Sequence, residues 1–169
     1  MDFTIRPARE DEYEPLGRIT AAAYLDDGLL AFGGSDAYLR TLRDVRSRAT
    51  APGAEVLVAA EDDRLLGGVT FVAGGPLADI AAADEAEMRM LAVARHARGR
   101  GVGEALVRCC ADRARALGGR RRLVLSTQPK MHTAHRLYER LGFARAPLRD
   151  WNPVPETADI DLLVYELPV

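Results

Sequence analysis

The sequence has little lysine, few aromatics and almost no cysteine, and each shortage removes a class of function. Of its 23 basic residues only Lys130 is lysine; the other 22 are arginine, which reads as a codon effect. Against 25 acidic residues this leaves a formal net charge of −2, whereas dedicated binders of nucleic acid usually carry a large positive excess. The two cysteines, Cys109 and Cys110, are adjacent, so they offer neither a disulfide framework nor the ligand spacing of a metal site. No apolar run approaches the ~20 residues that span a bilayer, and the opening MDFTIRPARED lacks a signal-peptide core. The expected location is therefore the cytoplasm, with no membrane or nucleic-acid partner. Aromatics make up 6% and alanine supplies 28 of the 169 residues, so the core must be built mainly from Leu, Val and Ile. The length suits one domain over residues 1–169.

What is present is an alternation of strands and helices. Residues 2–6 alternate as a short strand, and Tyr13, Leu16, Ile19, Thr20 and Ala23 recur at helical spacing. Asp26-Asp27-Gly28 and Gly33-Gly34 break that pattern, and Ser35 or Asp36 caps a second predicted helix running to about Arg48. Residues 55–61 and 65–73, joined by a charged turn, predict a β-hairpin. Residues 85–93 read as an unbroken strand, 104–117 as a helix stopped by Gly118-Gly119, and 122–125 as a buried strand. A second amphipathic helix covers 131–141, and 143–148 and 160–167 read as closing strands around the Trp151 bend. Helices on the faces of a mixed sheet, α+β or α/β, follow from this order.

Between the strand at 85–93 and the next helix lies Arg98-Gly99-Arg100-Gly101-Val102-Gly103. Glycines there let the backbone approach a ligand, and the first-turn N–H groups and positive dipole end of the helix suit a phosphate. Arg95, His96, Arg98 and Arg100 add positive charge. The nucleoside-triphosphate loop is excluded, because Gly103 is followed by Glu104-Ala105 rather than Lys-Ser/Thr. The dinucleotide fingerprint fails too, because Glu104 stands where its third glycine belongs.

The spacing Arg98-x-x-Gly101-x-Gly103, preceded by Met90-Leu91-Ala92-Val93, resembles the central acyl-CoA motif of the GNAT superfamily of acyl-CoA-dependent N-acyltransferases. The run Ala134-His135-Arg136-Leu137-Tyr138-Glu139-Arg140-Leu141-Gly142-Phe143 is similar to that family's later A-x-x-LYE-x-LGF segment, and the likeness covers nearly the whole chain. The resemblance implies an α+β fold of the three-layer α/β type, with a mixed, mostly antiparallel sheet of about seven strands flanked by four helices. It implies acetyl-CoA as cosubstrate and no metal. Arg98, Gly99, Arg100, Gly101, Val102, Gly103 and Glu104 would surround the pyrophosphate. Leu91, Ala92 and Val93 would lie along the pantetheine arm like a neighbouring strand, with Ala134 and Tyr138 also in contact. By the same resemblance the Leu91 N–H meets the thioester oxygen, Tyr138 protonates the leaving sulfur, and Glu87 deprotonates the amine. One departure is Met131, which stands where many members carry Asn.

The residues also admit plainer roles. Tyr138 lies on an apolar stripe with Leu137 and Leu141, where a tyrosine serves as packing. Glu87 shares a strand face with Glu85 and Arg89, which suggests an ion pair with Arg89. His132 and His135 lack a third ligand, and Cys109 and Cys110 fall mid-helix, which disfavours a covalent intermediate. The acceptor pocket is expected from Tyr24, Asp26, Asp27 and Phe32 together with Glu85 and Trp151, its carboxylates favouring a cationic amine. A small-molecule or peptide amine and a homodimer fit this reading. The rivals are a non-catalytic acyl-CoA sensor on the same fold and an enzyme acting on charged tRNA, the latter opposed by the net charge.

Overall fold

A computed structural model describes residues 2–30, 33–156 and 160–169. In chain order the elements are β1 (Thr4–Pro7), α1 (Tyr13–Asp26), α2 (Tyr38–Arg43), α3 (Val45–Thr50), β2 (Ala54–Glu61), β3 (Arg64–Val72) and β4 (Glu85–Val93). They continue with α4 (Val102–Leu117), β5 (Arg122–Thr127), α5 (His132–Arg140), β6 (Ala144–Arg145) and β7 (Leu163–Pro168). The strands form one seven-stranded sheet in the order β1-β2-β3-β4-β5-β7-β6. Every neighbouring pair is antiparallel except β4 and β5, which run parallel.

Period-two alternation along β2 builds the three layers. Leu57 and Ala59 pack into a core shared with Leu106, Val107 and Cys110 of α4. Val56, Val58 and Ala60 face the other way, onto Leu16 of α1 and Val45 of α3. The mixed seven-stranded sheet matches expectation, but among the described residues five α-helices flank it rather than four. The second predicted helix breaks at Asp44, whose backbone leaves helical geometry and whose side chain accepts the Ser47 N–H at 3.2 Å, starting α3. Buried Arg48 folds back to donate to the carbonyls of Thr41 (2.6 Å) and Leu42 (3.0 Å), which gives the end of α2 its acceptors' partners. Gly17 permits this arrangement, because a Cβ there would overlap the Arg43 carbonyl. The closing strand predicted over 143–148 shrinks to two residues, since Pro147 opens a 3-10 turn at Pro147–Arg149.

The unbroken strand predicted at 85–93 carries a β-bulge. Gly68 opposes Ala92 while Thr70 opposes Arg89, so β4 holds one residue more than β3 across this interval. Met90 takes φ +55°, a conformation uncommon for a side chain without a carbonyl or amide tip. The extra residue reverses the facing. Ala86 and Met88 pack on the α4 side before it, Leu91 and Val93 after it, while Met90 turns to Ala21, Leu39 and Leu42. Among the described residues no helix is long and apolar enough to cross a membrane.

Candidate active site

The parallel pairing of β4 with β5 covers only Glu85↔Arg122, Ala86↔Leu123 and Glu87↔Val124. Past that point the strands diverge and enclose a cavity of about 650 Å³. Met88, Met90 and Leu91 line it from β4, and Leu125, Ser126 and Thr127 from β5. Tyr24 and Tyr38 close one side, their rings 6.3 Å apart, and Trp151 with Leu162 closes the other. The Trp151 indole N–H donates to Ser126 Oγ at 2.9 Å, which holds the bend against β5.

The bulge decides which backbone groups meet the gap. The Ala94 N–H donates to Leu66 O of β3 at 2.8 Å. By strand alternation the main-chain groups of Ala92 also face β3, and those of Leu91 and Val93 face the gap. That edge runs directly into the glycine turn. Gly99 and Gly101 have φ of +80° and +79°, a region in which glycine alone is unstrained, and a Cβ on either would meet open space. The first helical bond of α4 is Ala105 N–H to Gly101 O, and no side chain caps the helix. The N–H groups of Val102, Gly103 and Glu104 therefore point outward without an intrahelical acceptor. The Val102 side chain is buried, so that position presents backbone only, while Ala92, its side chain buried and its main chain facing β3, offers the gap neither.

The arginines of the turn are matched by carboxylates. Arg95 pairs with Asp26 at 2.9 Å, Arg98 with Asp27 at 3.5 Å, and Arg100 with both Asp2 (2.7 Å) and Glu61 (2.6 Å). Glu104 pairs with Arg108 and Arg140. Asp26 and Asp27 thus stand beside the glycine turn rather than in the cavity lining, and Phe32 falls outside the described residues.

Tyr138 is 4% exposed and lines the cavity, its ring 5.6 Å from Phe143 and 5.8 Å from Tyr165. Burial pushes its pKa up, so the group stays a neutral phenol. Ala134, one turn earlier on α5, packs against the same core. Met131 lines the cavity and accepts from Thr127 Oγ1 at 3.4 Å.

Glu87 is 2% exposed, and its partners are not the expected arginine. Its Oε1 accepts the N–H groups of Ile80 (2.9 Å) and Ala81 (3.0 Å), and Oε2 takes only a long 3.4 Å contact from the Asp79 N–H. Burial pushes its pKa above the ordinary value, against the downward pull of the two closer N–H groups. Arg89 instead pairs with Asp79 at 3.1 Å and donates to Leu77 O at 2.8 Å. Glu85 faces away from the cavity into an ion cluster, bound by Arg149 at 2.8 Å and Arg122 at 3.4 Å. Burial alone would raise its pKa, but Arg149, the Ala82 N–H and Arg122 outweigh it and hold it at about 2.

Of the expected residues, the cavity unites Tyr24, Glu87, Leu91, Tyr138 and Trp151. Sequence reasoning missed Asp79, Tyr38 and Thr41, which share that lining. Asp79 sat in an Ala/Asp stretch without a motif. The available signal was Glu87 itself, because a carboxylate on a buried strand requires donors, and the nearest unassigned backbone was the segment before it. Among the described residues no three His, Cys, Asp or Glu side chains gather as a metal site would require.

Solved structures with the same architecture share little sequence with the chain. The paia N-acetyltransferase of Thermoplasma acidophilum, solved in complex with coenzyme A, superposes with a TM-score of 0.75 at 16% identity, covering 100% of both chains. The yncA protein of Salmonella typhimurium, a putative acetyltransferase solved with its cofactor acetyl-CoA, gives 0.72 at 19%, over 99% of this chain and 94% of that one. A ribosomal-protein-alanine N-acetyltransferase from Brucella melitensis gives 0.73 at 20%, over 98% and 99%. No curated protein matches in sequence. At such identities the likeness is one of fold, and it is the sequence family that speaks to kinship. The model of the acetyltransferase (GNAT) family matches residues 10–143, taking in the bulged strand, the glycine turn and Tyr138, and the chain belongs to that family.

Proposed function

We propose that the chain moves an acetyl group from acetyl-CoA to a primary amine by direct transfer in a ternary complex. The observation that carries this reading is the continuity of the gap edge of β4 with the uncapped N-terminus of α4. A ligand with an extended amide arm and a pyrophosphate needs strand-like partners followed by anion donors, and Leu91, Val93 and the turn at residues 99–104 offer them in that order. Open space at Gly99 and Gly101 gives the phosphates room at the backbone.

The chemistry then divides among few groups. The amine nitrogen attacks the thioester carbonyl carbon, and the Leu91 N–H stabilises the charge gathering on the carbonyl oxygen. Glu87 Oε2, the carboxylate oxygen with lone pairs to spare, takes the amine's proton. As the carbon–sulfur bond breaks, the Tyr138 phenol protonates the leaving sulfur. Tyr138 lines the cavity, on the side where the sulfur would lie in this reading. The supporting test is release of free thiol from acetyl-CoA across a panel of amines, amino acids and peptides. Amine-dependent release is expected; tight CoA binding with no release for any acceptor would replace the enzyme by a sensor.

A further inference from the structure

Arg89 is the one cation among the described residues that line the cavity, and its charge is already answered. Its guanidinium holds Asp79 Oδ2 at 3.1 Å and the Leu77 carbonyl at 2.8 Å. The same lining holds the carboxylates of Asp79 and Glu87. An anionic group entering this space would leave its water for a site where negative charge exceeds positive.

The rest of the lining asks for apolar surface. Tyr24, Tyr38 and Trp151 stand around the acceptor side, joined by Leu29, Leu30 and Leu162. Two of the polar side chains in the lining are held by their neighbours: Trp151 Nε1 donates to Ser126 Oγ, and Thr127 Oγ1 donates to the Met131 sulfur. An aromatic body can take edge or offset contacts with three surrounding rings.

We propose that the acceptor is a small primary amine with an apolar, aromatic-sized body and no carboxylate, and that the Asp79–Arg89 pair excludes α-amino acids. The proposal rests on the acetyl-transfer reading for the reaction, but the pocket chemistry can be read by binding alone. Asp79 acts here as a specificity residue: it occupies the guanidinium that would otherwise grip a substrate carboxylate in bidentate fashion.

The test pairs acceptors that differ only by a carboxylate, phenethylamine against phenylalanine and tryptamine against tryptophan. Thiol release from acetyl-CoA should give kcat/KM about 100-fold higher for each amine than for its amino acid. Asp79→Asn frees Arg89, and the gap should narrow about tenfold through a rise for the amino acid. Arg89→Met should lower kcat/KM for the amino acid more than for phenethylamine. Equal rates for amine and amino acid, or equal losses for both in either folded variant, overturn the proposal. Calorimetric titration of phenethylamine and phenylalanine into the wild-type protein saturated with CoA provides the second readout. Preferential binding of phenethylamine without any thiol release would sustain the pocket assignment and sink the acetyl-transfer reading. Binding of phenylalanine at least as tight, or binding of neither, sinks the pocket assignment whatever the activity.

Discussion

Replacing Tyr138 with Phe removes one hydroxyl and leaves the ring between Phe143 and Tyr165. If the phenol protonates the leaving sulfur, kcat should fall about 10²-fold while CoA affinity, read by calorimetry, stays nearly intact. Equal thiol release by Tyr138→Phe and wild type would return the residue to packing. Glu87 calls for a pH profile, because burial lifts its pKa above 4.5. A base works as the carboxylate, so kcat/KM should climb with pH through a midpoint above the usual carboxylate range. Glu87→Gln should lower the plateau and remove that limb, and a limb that persists in the variant assigns it to another group. Its effect on stability has the opposite sense, since a raised carboxyl stabilises the fold below 4.5 and ceases to as pH rises past its folded value. The family resemblance singled out both residues in the sequence, and both line the cavity. Their partners were not legible there, since the Ile80 and Ala81 N–H groups that hold Glu87 belong to a loop with no pattern of its own.

The glycine turn and the bulge show what an element's sequence reveals and what it conceals. Alternating glycines at 99, 101 and 103 announce a backbone that must turn and approach something, and Gly99 and Gly101 do take left-handed φ. Gly101→Glu should abolish CoA binding in a calorimetric titration. It forces a side chain into the left-handed region and sets a carboxylate where the phosphates belong. Unchanged affinity would remove the turn from the site. The bulge, in contrast, is hidden. Met-Arg-Met-Leu-Ala-Val carries no glycine or proline to mark it, and it arises because β3 and β4 must match registers on both sides of Met90. The break between α2 and α3 did leave a sign. Asp44 lies inside a run read as one helix, yet Asp favours N-caps over helix interiors, and here it starts α3 by accepting the Ser47 N–H.

At the scale of the molecule, charge is arranged rather than accumulated. The net −2 concealed a cluster in which half-buried Arg149 ties buried Glu85 of β4 to Glu166 of β7 and to the Ile80 carbonyl. It sits where β4 and β5 begin their brief parallel pairing, so it fastens the closed end of the fork. Glu85 is held at about 2 against an ordinary 4.5, which stabilises the fold above 4.5 and is lost as pH falls toward 2. The contribution is on the order of 2 kcal/mol once screening by water around the two arginines is allowed for. Chemical denaturation followed from pH 6 to pH 2.5 should show that loss, and Glu85→Gln should be less stable at pH 6 yet lose less between the two. A variant as acid-sensitive as the wild type would detach the cluster from acid stability. Sequence reading gave the chain order of the strands, with the 143–148 strand reduced to Ala144–Arg145, but it put Glu85 with the acceptor. A strand face lists candidates without saying which of them an arginine 64 residues away has claimed.

The fork between β4 and β5 gives this sheet four edges instead of two. The outer pair, β1 and β6, are short strands, of four and two residues, which limits what another chain can add to them. The inner pair are longer and lie beneath the aromatic walls of the cavity, where only something as slender as a single extended chain can enter. A folded neighbour cannot bring a strand there, so the width of the gap is itself selective. Whatever fills it completes hydrogen bonding that the fold leaves unmade, and occupancy and resistance to unfolding must therefore rise together.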